Sequence, residues 1–188
     1  SSAVALQNAI VLNNALTLNG ANDLTLNGTL SGATGSLVKS GAGALTLTGA
    51  NTFGGGATLS GGTVNVGSNT ALGTGNVTVN GAVTLASLSN NVALSNTFAL
   101  SNALTVGGAS NLTLNGALSG AGGTLVKTGT GTLTLNATNS MGGATLNGGT
   151  VVAGANNALG TGTATVQGAT ALDAGATVSL ANQFLLNN

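Results

Sequence analysis

The chain has 188 residues, of which 33 are glycine, and its formal net charge is zero. Its only charged side chains are Asp23, Lys39, Lys127 and Asp173, and it has no His, Cys, Pro, Trp or Tyr. Acid-base and nucleophilic catalysis, metal binding and counterion release from nucleic acid all need clusters of residues that this inventory lacks. We therefore predict no enzyme activity, no catalytic, cofactor-binding or metal-binding residues, no cofactor and no nucleic-acid partner.

Apolar residues make up 42% of the chain, which is enough for a folded core. They come as short bursts of Leu, Val and Ala, and no run approaches the length of a transmembrane helix. A charged-then-apolar signal segment does not open the chain. We expect a segment that is not embedded in a membrane and that is an interior piece of a longer protein.

Internal repetition dominates the sequence. LVKSGAGALTL at 37–47 returns as LVKTGTGTLTL at 125–135, and ALGTG at 71–75 returns at 158–162. The chain is predicted to be one domain, 1–188, with two copies of a unit of about 87 residues. The copies span roughly 1–88 and 89–175, and the start of a third copy follows.

Within each unit, apolar-polar-apolar triplets such as LTL alternate with Gly, Asn and Ser. Strict alternation predicts strands with the outer two side chains on one face and Thr on the other, while Gly and Asn favour turns. Such short strands bury their apolar faces only by stacking, so we predict an all-β, parallel β-helix of roughly nine rungs with 20–22 residues each. The crossover preference of parallel strands makes it right-handed. A sandwich of antiparallel hairpins is the competing fold.

The segments 37–81 and 125–168 resemble the passenger-associated repeat of bacterial autotransporters. The motifs that carry the resemblance are Lys-x-Gly-x-Gly-x-Leu-x-Leu, Gly-Gly-Thr-Val and Ala-Leu-Gly-Thr-Gly. The family often has an aromatic residue after an Asn-Thr pair, and Phe53 and Met141 take that position here. The resemblance implies a right-handed β-helix that a Gram-negative bacterium exports as a surface stalk, often in adhesins, and a repeat that assists folding during export.

Single residues offer few candidate sites. Lys39 and Lys127 close equivalent strands and are expected to be outward and solvated. Asp23 and Asp173 do not occupy equivalent repeat positions and are expected in turns or on the surface, and the Gly54–Gly56 loop lacks the residues of a phosphate-binding loop. Phe53, Phe98 and Phe184 are expected to plug the core or turns. The outward threonines are expected to form partial ladders on several faces: Thr17, Thr25, Thr46, Thr78, Thr84, Thr105, Thr113 and Thr134.

The leading functional hypothesis is a structural stalk of a secreted or surface-displayed passenger, located outside the cell or on its surface and anchored in the outer membrane by a part not present here. Its partners would be receptors on a host or a neighbouring cell, or copies of itself. The alternative is a fibre or sheath subunit that stacks end to end, since near-zero charge does not oppose association. A minor alternative is binding of ice or glycan by threonine ladders.

Overall fold

The computed structural model describes residues 4–187 and contains 23 short strands. Ten of them form the largest sheet, the front sheet, in the chain order of its members. These strands are β1 (Val4–Leu6), β4 (Leu24–Leu26), β7 (Leu45–Leu47), β9 (Thr63–Val66), β11 (Val83–Ser87), β14 (Leu104–Gly107), β17 (Leu125–Lys127), β19 (Ala144–Leu146), β21 (Ala164–Val166) and β23 (Phe184–Leu186).

Three further sheets complete the coil. The six-stranded side sheet contains β3 (Ala15–Leu18), β6 (Ser36–Lys39), β8 (Ala57–Leu59), β10 (Val77–Val79), β13 (Phe98–Leu100) and β16 (Leu118–Ser119). The five-stranded back sheet contains β12 (Val92–Leu94), β15 (Leu112–Leu114), β18 (Thr132–Leu135), β20 (Gly149–Ala153) and β22 (Thr170–Ala174). A two-stranded sheet pairs β2 (Ile10–Val11) with β5 (Leu30–Ser31). It lies between front and side strands in the chain, where the back sheet lies in later coils.

Strand pairing shows that the chain winds as a solenoid. Each strand pairs in parallel with the strand one coil away, as when Leu24 pairs with Leu45 and Leu133 pairs with Val151. The ten front strands therefore mark nine steps of the coil, which at about 4.8 Å per step span about 43 Å. The predicted parallel β-helix of about nine rungs is confirmed, and the antiparallel sandwich is wrong.

The dry interior follows from the alternation within each triplet. In β7 the outer residues Leu45 and Leu47 are fully buried while Thr46 between them is partly exposed, and β18 repeats the pattern with Leu133, Thr134 and Leu135. Inward aliphatic side chains of successive coils contact one another and form a single hydrophobic cluster that extends from Leu12 to Ala164. Because each coil covers the apolar face of its neighbours, strands of two to five residues are stable together.

Helices play no part in the described region, residues 4–187, and it holds no apolar helix of membrane-spanning length.

Candidate functional site

The charged side chain of Lys39 lies inside the solenoid. It shares the inward face of β6 with Leu37, pairs in register with Leu18 and Leu59, and is only 3% exposed. Its Nζ donates hydrogen bonds to the carbonyl oxygen of Gly41 and, at 3.1 Å, to that of Gly61 in the next coil. The ammonium group therefore ties two successive glycine turns together.

Lys127 repeats this arrangement in the second copy. It is 1% exposed, and its Nζ donates to the carbonyl oxygen of Gly129 and, at 3.3 Å, to that of Gly148. The adjacent Gly149 has a φ of +69° and leaves no room for a side chain, because a Cβ there would lie 2.7 Å from Nζ. The lysine and the glycine-rich turn thus form one structural unit, which we call the lysine clamp.

The prediction that Lys39 and Lys127 point outward is wrong. In an alternating strand Lys39 is on the same face as Leu37, and its aliphatic stem packs inside while carbonyl oxygens accept from its head. Burial lowers the pKa of both lysines from the ordinary value of 10.5, since desolvation disfavours the charged form. Neither amine is presented to solvent as a contact for a ligand.

Alkaline titration is expected to stabilise the fold. Below 10.5 the unfolded chain binds more protons than the native one, so the free energy of unfolding rises as pH increases through the folded pKa values and levels off above 10.5. No Tyr, Cys or Arg titrates nearby, so a series of melts from pH 9 to 11.5 reports on the two lysines alone. The double variant Lys39→Met, Lys127→Met should show no such rise, and a flat parent curve would contradict burial.

Buried asparagines make a second kind of link between coils. Asn51 is 1% exposed, accepts from the Leu30 backbone N–H at 2.7 Å and donates to the Ala71 carbonyl at 2.6 Å. These two partners lie one coil before and one coil after it. One side chain therefore replaces a backbone ladder where the chain turns and no strand forms.

Asn139 is the counterpart of Asn51 in the second copy. It accepts from the Leu118 N–H at 2.8 Å and donates to the Ala158 carbonyl at 2.6 Å. Asn96 adds a further link by donating to the carbonyl oxygens of Gly73 and Gly75 in the previous coil. We call the links made by Asn51 and Asn139 the asparagine clamps.

The residue two positions after each asparagine clamp fills the core beneath a left-handed glycine. Phe53 is fully buried, and a Cβ on Gly73, whose φ is +70°, would lie 2.8 Å from its ring. Met141 occupies the same place below Gly160, whose φ is +79°. The Ala-Leu-Gly motif therefore needs glycine because a larger residue would collide with this plug.

Of the other predicted core aromatics, Phe98 is fully buried, as expected. Phe184 is 43% exposed, so the prediction that it plugs the core is wrong. It lies in β23, which pairs with β21 on one side, and no described coil covers its other side.

The two carboxylates serve local backbone structure. Asp23 is exposed and its Oδ1 accepts from the Ala44 N–H one coil away at 2.7 Å, just as Asn111 accepts from the Thr132 N–H. Asp173 is exposed and accepts from its neighbour Ala174 at 2.8 Å. Both lie on the surface, as predicted.

Glycine-rich loops use their backbone amides within the solenoid. The Gly54 N–H donates to the Gly32 carbonyl and the Gly55 N–H to the Gly35 carbonyl, so these amides are not free to bind a phosphate. The predicted absence of a phosphate loop agrees with this geometry.

Threonines on the outer face form short ladders. Thr63, Thr84 and Thr105 stack on the front sheet in three successive coils, and Val126 takes the next position. Thr25 and Thr46 pair in a separate file that continues with Asn65. Because the files are single and interrupted, no extended flat array of hydroxyl groups is formed at these positions.

Comparison with known proteins identifies the repeated unit. The model of the passenger-associated-transport-repeat family matches residues 37–66 and 125–153, and among curated proteins and solved structures nothing matches significantly. Each matched segment contains one lysine clamp, one asparagine clamp and one plug. The resemblance seen in the sequence is confirmed: the chain carries two passenger-associated-transport-repeats of the kind found in autotransporter passengers.

Proposed function

We propose that this chain is a non-enzymatic stalk segment of a secreted or surface-displayed bacterial passenger. The observation that carries the proposal is the continuous stack of ten parallel front strands, within which both passenger-associated-transport-repeats lie. A solenoid of this kind extends along one axis, so it holds whatever follows or precedes it at a distance. Its role would be mechanical, with adhesion arising from the outer surface or from neighbouring parts of the protein.

The state of the ionisable groups supports a non-catalytic role. Both ammonium groups donate to carbonyl oxygens inside the coil, and both carboxylates accept from backbone amides. Among residues 4–187 no three or more His, Cys, Asp or Glu side chains form a group that could hold a metal ion. The chemistry present is therefore used to join coils rather than to act on a substrate.

Surface location can be tested on the bacterium that makes the full-length protein. An antibody raised against the folded chain should label intact cells or the culture medium. Labelling that requires permeabilised cells would contradict the proposal.

Assistance in export is the finer part of the proposal. Stacking of each new coil on the last lowers the free energy of the emerging chain, which opposes its return. In the full-length protein, Leu135→Asp should therefore reduce the amount of passenger at the surface, while the neighbouring outward change Thr134→Ser should not. Equal surface amounts for the two variants would contradict a role of folding in export.

End-to-end assembly is a second candidate. The outer edges of β1 and β23 expose apolar side chains, with Val4 56% and Leu186 68% exposed. Either edge can accept a further coil from the same polypeptide or from another copy. Sedimentation velocity over a concentration series distinguishes them, because self-assembly predicts growing particles and a stalk segment predicts one constant size.

A further inference from the structure

Equivalent strands of the two repeat copies lie in different sheets. Copy-one strands of the front sheet correspond to copy-two strands of the back sheet, and copy-one strands of the side sheet correspond to copy-two strands of the front sheet. The pairs are β4 with β15, β7 with β18, β9 with β20 and β11 with β22, and then β6 with β17, β8 with β19 and β10 with β21. The sequence repeat is therefore out of phase with the coil.

The strand register gives the size of the offset. From Leu37 the side sheet passes through Ala57, Val77 and Phe98 to Leu118, which is four coils and 81 residues. Leu125, the repeat counterpart of Leu37, lies seven residues further on in the front sheet. One repeat thus advances the chain by four coils and one face, or about four and one third coils.

We infer that the two copies display their outer surfaces on different sides of the rod, so that a globular protein bound to one copy leaves the other free for a second molecule. This deepens the proposed display function and rests on it. Identical outward residues make the point: Thr58 and Thr145 are both the middle residue of an Ala-Thr-Leu strand, yet Thr58 is on the side sheet and Thr145 on the front sheet.

A same-face control exists in the chain. Thr63 and Thr145 lie in one file of the front sheet, four coils apart, through Thr84, Thr105 and Val126. At about 4.8 Å per coil their Cα atoms are about 19 Å apart. All three threonines are partly exposed, and the chain has no native cysteine that would compete for a label.

The experiment compares the pair Thr58→Cys, Thr145→Cys with the pair Thr63→Cys, Thr145→Cys. Each is biotinylated and mixed with excess monovalent streptavidin, which is wider than the control spacing, and the mass of the complex is measured by light scattering. We expect two streptavidins on the repeat-equivalent pair and one on the same-face pair. Spin labels at the same sites should give a longer distance for the first pair.

One streptavidin on the repeat-equivalent pair, or equal spin-label distances for both pairs, would overturn the inference. Circular dichroism of each labelled pair checks that the solenoid is intact. Since these measurements use the isolated chain, they can fail while the antibody still labels intact cells, and the reverse is equally possible. Failure of the display geometry is thus distinguishable from failure of the surface location.

Discussion

Leu47→Asp is expected to unfold the coils around it, and Leu135→Asp to do the same in the second copy. Both leucines are fully buried in the aliphatic column, with Leu26 and Val66 paired to Leu47 on either side. An unpaired carboxylate there has no hydrogen-bond donor designed to meet it, and its burial costs more than about 4 kcal/mol. That is a large part of the stability of a typical domain, about 5–15 kcal/mol.

Circular dichroism during thermal melting checks this expectation, and hydrogen exchange locates the damage. Because each coil contacts only its neighbours, protection should be lost first near the substituted coil and retained further away. Thr46→Ser is the matched control: Thr46 faces outward, and serine keeps the hydroxyl that accepts from Asn65. A variant Thr46→Ser that melts far below Leu47→Asp would reverse the assignment of inside and outside.

The coil itself was predictable because one physical rule governs it. In Leu-Thr-Leu triplets the alternation assigns faces, and the short length of each strand requires stacking. Repetition of the same triplet in every rung made the register recoverable without knowledge of any single contact. The rung length was slightly overestimated: front strands recur after about 20 residues, as when Leu45 pairs with Val64 after 19.

The clamps were missed because sequence reasoning judged residues by type. Lysine at a strand end usually indicates solvent, but Leu37 and Lys39 are two positions apart and therefore share the inward face. That alternation was the signal that could have located the clamp. Asn51 carried no comparable signal, since its two partners, Leu30 and Ala71, lie about 20 residues away on either side.

The offset between repeat and coil was also hidden in the sequence. A repeat of about 87 residues and a rung of 20–22 residues fit four coils nearly as well as four and one third. Only the pairing of Leu37 with Ala57, and not with a copy-two residue, fixes the number of residues in a coil. A difference of about one residue per rung decides whether the copies share a face.

Asn51→Ala is expected to lower the free energy of unfolding by about 2–6 kcal/mol. The change leaves the Leu30 N–H and the Ala71 carbonyl without their partner in a site that is 1% exposed, and each buried orphan costs about 1–3 kcal/mol. Asn139→Ala should cost a similar amount, because Leu118 and Ala158 stand in the same relation to it.

Denaturant titration of the three variants Asn51→Ala, Asn139→Ala and Asn76→Ala measures these losses. Asn76 is exposed and bonds the exposed hydroxyl of Thr97, so its removal should change stability by less than about 0.5 kcal/mol. Equal losses at Asn51 and Asn76 would mean that burial does not set the value of the bond. A large loss at the two buried positions alone would identify the asparagine clamp as the element by which each repeat holds three successive coils together where strand pairing is interrupted.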